Sequence, residues 1–107
     1  MTINEYQEKA MRTLNPKLTK EEILVNAGMG LCGEAGEVID LLKKHYYQDH
    51  PLSYEQIAYE LGDIAWYLAE AAYAIGYKLE DILEMNIDKL NQRFPNGFNK
   101  DDSINNR

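Results

Sequence analysis

The chain has almost no cysteine: Cys32 stands alone among 107 residues. One thiol closes no internal disulfide, so a secreted scaffold stapled by cystines is excluded and a reducing cytoplasm fits. Long apolar runs are missing too, and nothing approaches the ~18 residues of a membrane span. The opening MTINEYQEKAMRTLNP lacks the basic start and apolar stretch of a signal peptide. Prolines number three and glycines seven, and Val, Ile and Thr are scattered rather than alternating, which leaves no pattern for a sheet. Basic residues are the scarcer charge: eleven Lys and Arg against eighteen Asp and Glu, a net charge of −7. Such a surface repels phosphate backbones and anionic lipid, so neither nucleic acid nor a membrane is an expected partner. What remains is one globular domain, expected in the cytoplasm.

The breaks that do occur are well placed. Asn15-Pro16, His50-Pro51, Gly76-Tyr77 and Pro95-Asn96-Gly97 separate four segments of helical character. Thr2 stands three before Glu5, Thr19 three before Glu22, and Ser53 three before Gln56, so each is read as a capping box opening a helix. The predicted helices cover 3–14, 20–46, 54–75 and 79–93. Leu24, Ala27, Leu31, Ala35, Val38 and Leu42 form one apolar stripe on the second. Ile57, Leu61, Ile64, Leu68, Ala71 and Ile75 form one on the third, and Leu79, Ile82, Leu83, Ile87 and Leu90 one on the fourth. The expectation is all-α: a four-helix antiparallel bundle in a single domain over 1–98, followed by a polar, flexible tail over 99–107. A bundle this small, with a long glycine-thinned second helix, leaves one side without cover. Self-association as a homodimer or homotetramer is therefore expected.

The unusual residues lie beside the stripes. Glu34 and Glu37 are three apart on the second helix, and Glu60 and Asp63 three apart on the third. That spacing puts each pair on one helical face, leaning toward the seam between the helices. Four carboxylates near one another repel, and burial raises the cost. Lys43 and Lys44 come two turns later, and the third helix has no Lys or Arg at all. An all-oxygen set of this kind suits a hard divalent ion, Mg²⁺ or Mn²⁺. The same short pairs are also frequent on solvated faces that bind nothing.

GMGLCG at 28–33 matches a dinucleotide-binding fingerprint literally, but that reading needs a preceding strand, and EEILVNA continues a helix. Gly28, Gly30, Gly33 and Gly36 are read instead as thinning one helix where a backbone or a metal-bound ligand comes close. Each costs about 1 kcal/mol against Ala. On the fourth helix Asn86, Lys89 and Arg93 share a face. They either offset phosphate charge or pair with Asp88 and Glu84 in solvent. Trp66 and Tyr6 are candidates for stacking on a base, with core packing as the alternative. His45 and His50 make no Glu-x-x-His pattern, so a di-iron bundle is excluded. Cys32 lacks a basic neighbour and is read as packing rather than reacting.

The stretches GLCGEAGEVIDLLKK, YELGDIAWYLAEAAYAIGYKLEDIL and NIDKLNQRFPNGF together resemble the MazG-like nucleoside triphosphate pyrophosphohydrolases. These are all-α NTP pyrophosphatases related to the dimeric dUTPases and dCTP pyrophosphatases. The family mark Glu-x-x-Glu, spacer, Glu-x-x-Asp reads here as Glu34, Glu37, Glu60 and Asp63, and the likeness runs from about Tyr6 to Phe98. It implies an oligomeric helical module. The four acids would bind Mg²⁺ or orient water while a nucleoside triphosphate is split to monophosphate and pyrophosphate, a reaction that would clear unwanted nucleotides. Carried over by position, Asn86, Lys89 and Arg93 contact the triphosphate, and Trp66 and Tyr6 line the base pocket. The alternative is a helical module that binds nucleotide or a partner without turnover.

Overall fold

A computed structural model describes all 107 residues. It contains five helices: α1 Ile3–Met11, α2 Lys20–Gln48, α3 Tyr54–Ala74, α4 Leu79–Arg93 and α5 Lys100–Asn105. None is long and apolar enough to cross a membrane. The all-α expectation holds, the four expected helices start where the sequence places them, and the first three carry side-chain caps. Thr2 Oγ1 accepts from Glu5 N at 3.1 Å and Ser53 Oγ from Gln56 N at 3.2 Å. Only Thr19 closes a full capping box, with Glu22 reaching back to the Thr19 amide at 3.0 Å. Those bonds to Thr19 hold the Glu22 carboxyl below its usual range.

Each helix ends for a local reason. Asp49 caps α2 in a left-handed conformation. After α3, Gly76 takes φ 78°, Tyr77 N returns to the Ala72 carbonyl at 2.9 Å and Gly76 N to Tyr73 at 3.1 Å. This is a Schellman turn at a position where a side chain would be strained. Lys78 gives α4 no side-chain cap. Gln7 on α1 does that work from a distance. Its Oε1 accepts from Leu79 N at 2.8 Å, while Nε2 donates to the Ala69 and Tyr77 carbonyls, each at 3.3 Å.

α2 and α3 form a long antiparallel hairpin, and α1 and α4 pack on α3. The core where α1, α3 and α4 meet is made of Ala10, Ala69, Ala72 and Leu79, with Tyr6, Met11, Trp66 and Ile82 against it. It is thin: nine residues of 107 are buried. The radius of gyration is 17.0 Å, against about 13 Å for a compact chain of this length.

The apolar stripes therefore need correction. Ile23 and Ala27 turn inward on α2, whereas Leu24 is exposed. Leu61, Leu68 and Ile75 on α3 and Leu83, Ile87 and Leu90 on α4 also face solvent in the single chain. Helical periodicity identifies an apolar side, but it does not say whether the same chain covers it. The fifth helix had no counterpart in the four-helix expectation: residues 100–105 of the polar C-terminal stretch are helical and capped by Asn99, which accepts from Asp102 N at 2.7 Å.

Candidate functional site

The α2–α3 seam is built as successive rungs. In the first, Asn26 Nδ2 donates to both oxygens of Glu70, at 3.0 and 2.9 Å. Glu70 has no exposed surface at all, so this amide satisfies a carboxyl that water does not reach. In the next, the Tyr67 ring lies directly over Gly30, where a Cβ would overlap it. The close approach expected along the glycines is thus made by the protein's own aromatic ring. Gly28, Gly33 and Gly36 face open space.

One rung further, Glu34 meets Glu60 and Asp63. One carboxylate oxygen from each lies within 4.8 Å of the others. Glu34 and Glu60 are half-buried and Asp63 is exposed. No Lys or Arg enters this group. Asp40 holds Lys44 at 2.9 Å and Lys43 at 3.3 Å, which lowers the Asp40 carboxyl and raises the Lys44 ammonium. Glu34 is pushed from 4.5 to about 7, first by sharing a proton with Glu60, then by partial burial, then by the charges of Glu60, Asp63 and Glu37. Glu37 itself is exposed and stands outside the three-oxygen group, although its charge is felt at Glu34.

Beside the acids is a cleft of about 380 Å³ lined by Glu34, Asp63, Trp66 and Tyr67. The Trp66 indole N–H is committed to the end of α1 and the turn after it, at 3.1 Å from the Ala10 carbonyl and 2.8 Å from Thr13 Oγ1. Its ring stands edge-on to Tyr67, with centroids 5.1 Å apart. The Tyr6 phenol is raised above its ordinary value by burial and, secondly, by the charge of Asp63. Both aromatics named from the sequence therefore serve the core, and Trp66 alone of the two lines the acid cleft. A roomier cavity of about 430 Å³ lies elsewhere, bordered by Gln7, Tyr73 and Tyr77, and holds none of the acids.

Asn86 and Lys89 are exposed on α4, and Arg93 is half-buried at its end. α4 packs on α1 and α3, and Lys89 and Arg93 line a different cavity from the acid cleft. His45 belongs to the α2–α3 joint, with Nδ1 at 2.8 Å from the His50 carbonyl. Cys32 is exposed, not packed. The Asn26–Glu70 rung was not visible in the sequence, because an amide and an acid 44 residues apart share no local pattern.

Residues 26–98 match the family model of the MazG nucleotide pyrophosphohydrolase domain. Over 73 residues the chain is 36% identical to the Gene 37 protein of Mycobacterium phage L5, a stretch covering 64% of each protein. The chain thus spans under two thirds of that relative's length. No solved structure matches it. The matched stretch holds the acid rung, the Asn26–Glu70 rung and α4, and leaves Tyr6 and α5 outside.

Proposed function

Because the chain belongs to the MazG nucleotide pyrophosphohydrolase family, we propose that it is a Mg²⁺-dependent enzyme. It splits a nucleoside or deoxynucleoside triphosphate into monophosphate and pyrophosphate. The observation that carries this reading is the convergence of Glu34, Glu60 and Asp63 within 4.8 Å with no base among them. Three hard oxygens, with the lysines that follow them on α2 already held by Asp40, fit Mg²⁺, with Mn²⁺ as a substitute. Bound there, such an ion supplies a water of lowered pKa and offsets the charge of phosphate.

The chain's own residues do the rest. Glu34, Glu60 and Asp63 hold the ion. Glu37, one turn along α2 and open to solvent, orients the attacking water or completes the ligand set. Trp66 has spent its N–H on α1, so it offers a base its ring face and no polar readout. Tyr6 supports that wall of the cleft. Asn86, Lys89 and Arg93 take phosphate charge.

A second copy of the chain completes the molecule. Leu61, Leu68, Leu83 and Ile87 lie exposed, an apolar extent that a soluble monomer does not normally leave open. A homodimer or homotetramer covers it. A neighbour's α4 also offers a route for Lys89 to reach phosphate held at the acids.

Chromatography of products from a panel of nucleotides with Mg²⁺ tests the reading. Monophosphate plus pyrophosphate is expected, and diphosphate plus single phosphate overturns it. Mg²⁺-dependent nucleotide binding without any product returns the non-catalytic binding module.

A further inference from the structure

Along α2 one arrangement occurs twice, three residues apart: Gly30 stands four before Glu34, and Gly33 four before Glu37. The structure uses the first set. Tyr67 covers Gly30, and Glu34 meets Glu60 and Asp63. Gly33 faces open space, and Glu37 stands outside the acid group. A slide of α2 against α3 by three residues, about 4.5 Å along the axis with a turn of about 60°, would exchange the two sets. Gly33 would then lie under Tyr67, and Glu37 would replace Glu34 opposite Glu60 and Asp63. Apolar packing does little to forbid this. The fully buried place of Ala27 would pass to Gly30, which is smaller still. The five residues between Gln48 and Tyr54, with a reach of about 3.3 Å each, can follow the move.

The Asn26–Glu70 rung does forbid it. Glu70 has no exposed surface and takes both its hydrogen bonds from Asn26. After the slide Met29, whose thioether donates nothing, would face Glu70. Asn26 would enter the buried place of Ile23. A carboxyl and an amide would each lose their partner where water does not reach, which is the costly way to break a hydrogen bond. A lone polar pair is known to fix helix register where apolar contacts leave it open. We infer that Asn26 and Glu70 are positioning residues, which select the register in which Glu34 rather than Glu37 joins Glu60 and Asp63. They act at a distance, with the Tyr67–Gly30 contact between them and the acids. The inference rests on the proposed function only for the ion that the acids hold, and the register is read without it.

The test removes the pair without stranding either partner. Asn26→Leu/Glu70→Leu replaces both polar groups by apolar ones, an exchange that can be nearly neutral for stability, and circular dichroism checks that the helices persist. In chelator, nuclear Overhauser contacts from the Tyr67 ring should reach the α-protons of Gly30 alone in the parent, and spread to those of Gly33 in this variant. In calorimetric titration its affinity for Mg²⁺ should fall at least about tenfold, the lower end of the cost of losing a group that orients metal ligands. Glu70→Gln keeps an acceptor for Asn26 and should match the parent in both measurements, which separates register from charge. Asn26→Leu/Met29→Asn carries the amide three residues along α2 and should move the Tyr67 contacts to Gly33. It decides the matter if the first double variant does not fold. Tyr67 contacts that stay on Gly30 alone in the folded double variants, Mg²⁺ affinity that stays at the parent value without the pair, or a Glu70→Gln protein that loses either property each overturns the inference. A parent chain that binds no Mg²⁺ overturns the proposed function instead, and the Tyr67 contacts still decide the register.

Discussion

Two rungs of the same helix pair handle acid in opposite ways. At Asn26–Glu70 a carboxyl with no exposure takes both its hydrogen bonds from one amide, and the next rung is filled by Tyr67 over Gly30. A turn further on, Glu34, Glu60 and Asp63 come together with nothing but one another for company. The first arrangement is closed by the chain. The second leaves mutual repulsion that a proton relieves in part, and that a divalent ion relieves more fully. The difference separates an acid that holds helices together from acids held ready for something else.

The comparison breaks most visibly at the open rung. Glu60→Gln removes a ligand from the acid group and should cut Mg²⁺-dependent nucleotide hydrolysis at least about a hundredfold, since even groups that merely orient metal ligands are worth 10–100-fold. Circular dichroism should be unchanged, because a glutamine there still offers Glu34 a hydrogen-bond partner. At the closed rung the effect should be on stability. Asn26→Leu strips Glu70 of its donor and should cost about 2–3 kcal/mol in denaturant unfolding, the scale of a buried polar group left unpaired. Glu70→Gln, which keeps an acceptor for Asn26, should cost clearly less. Gly30→Ala comes next: the added methyl meets the Tyr67 ring, and a net loss of about 1–2 kcal/mol is expected. Alanine alone favours a helix by about 1 kcal/mol over glycine, so a stabilised variant would contradict the close packing.

The smallest effect is on pH. Glu34 titrates near 4.5 when unfolded and near 7 in the folded, metal-free chain. The folded state therefore binds its proton more tightly. The stability this confers is full below about pH 4.5 and is lost as pH rises through 7. Melting temperature measured across that window in chelator should fall with rising pH at this site. Glu60→Gln should flatten the slope, because sharing with Glu60 is the largest cause of the shift.

How far the sequence reached follows from these same residues. The starts of the first three helices were legible because Thr2, Thr19 and Ser53 act on amides three residues away, which is information carried locally, and that of α4 because it follows the Gly76-Tyr77 break. Three of the four acids were legible because helical spacing fixes which carboxylates share a face, but the same spacing also counted Glu37, which stands outside the group. The glycines announced close packing, but not that Tyr67 would fill it. The Asn26–Glu70 pair depends on how two helices align over a distance, and α5 depends on Arg93 and Asn106 meeting. The pair is written in no short window, whereas the start of α5 does carry a local sign, Asn99 three before Asp102, that was read as part of a polar tail. The outward-facing Leu61, Leu83 and Ile87 were misplaced for a different reason: periodicity marks an apolar face of a helix without saying which part of the chain, if any, packs on it.

Gln7 joins three elements through one amide, bonding α1 to the Ala69 and Tyr77 carbonyls and to the first amide of α4. The direction in which α4 sets out is thus dictated by the seventh residue of the chain. A shift of α1 would tilt α4 as a rigid rod, and 15 residues at about 1.5 Å each turn a small tilt at Leu79 into a much larger displacement at Arg93. A substitution near the start of the protein can therefore move the cations at the far end without touching any of them.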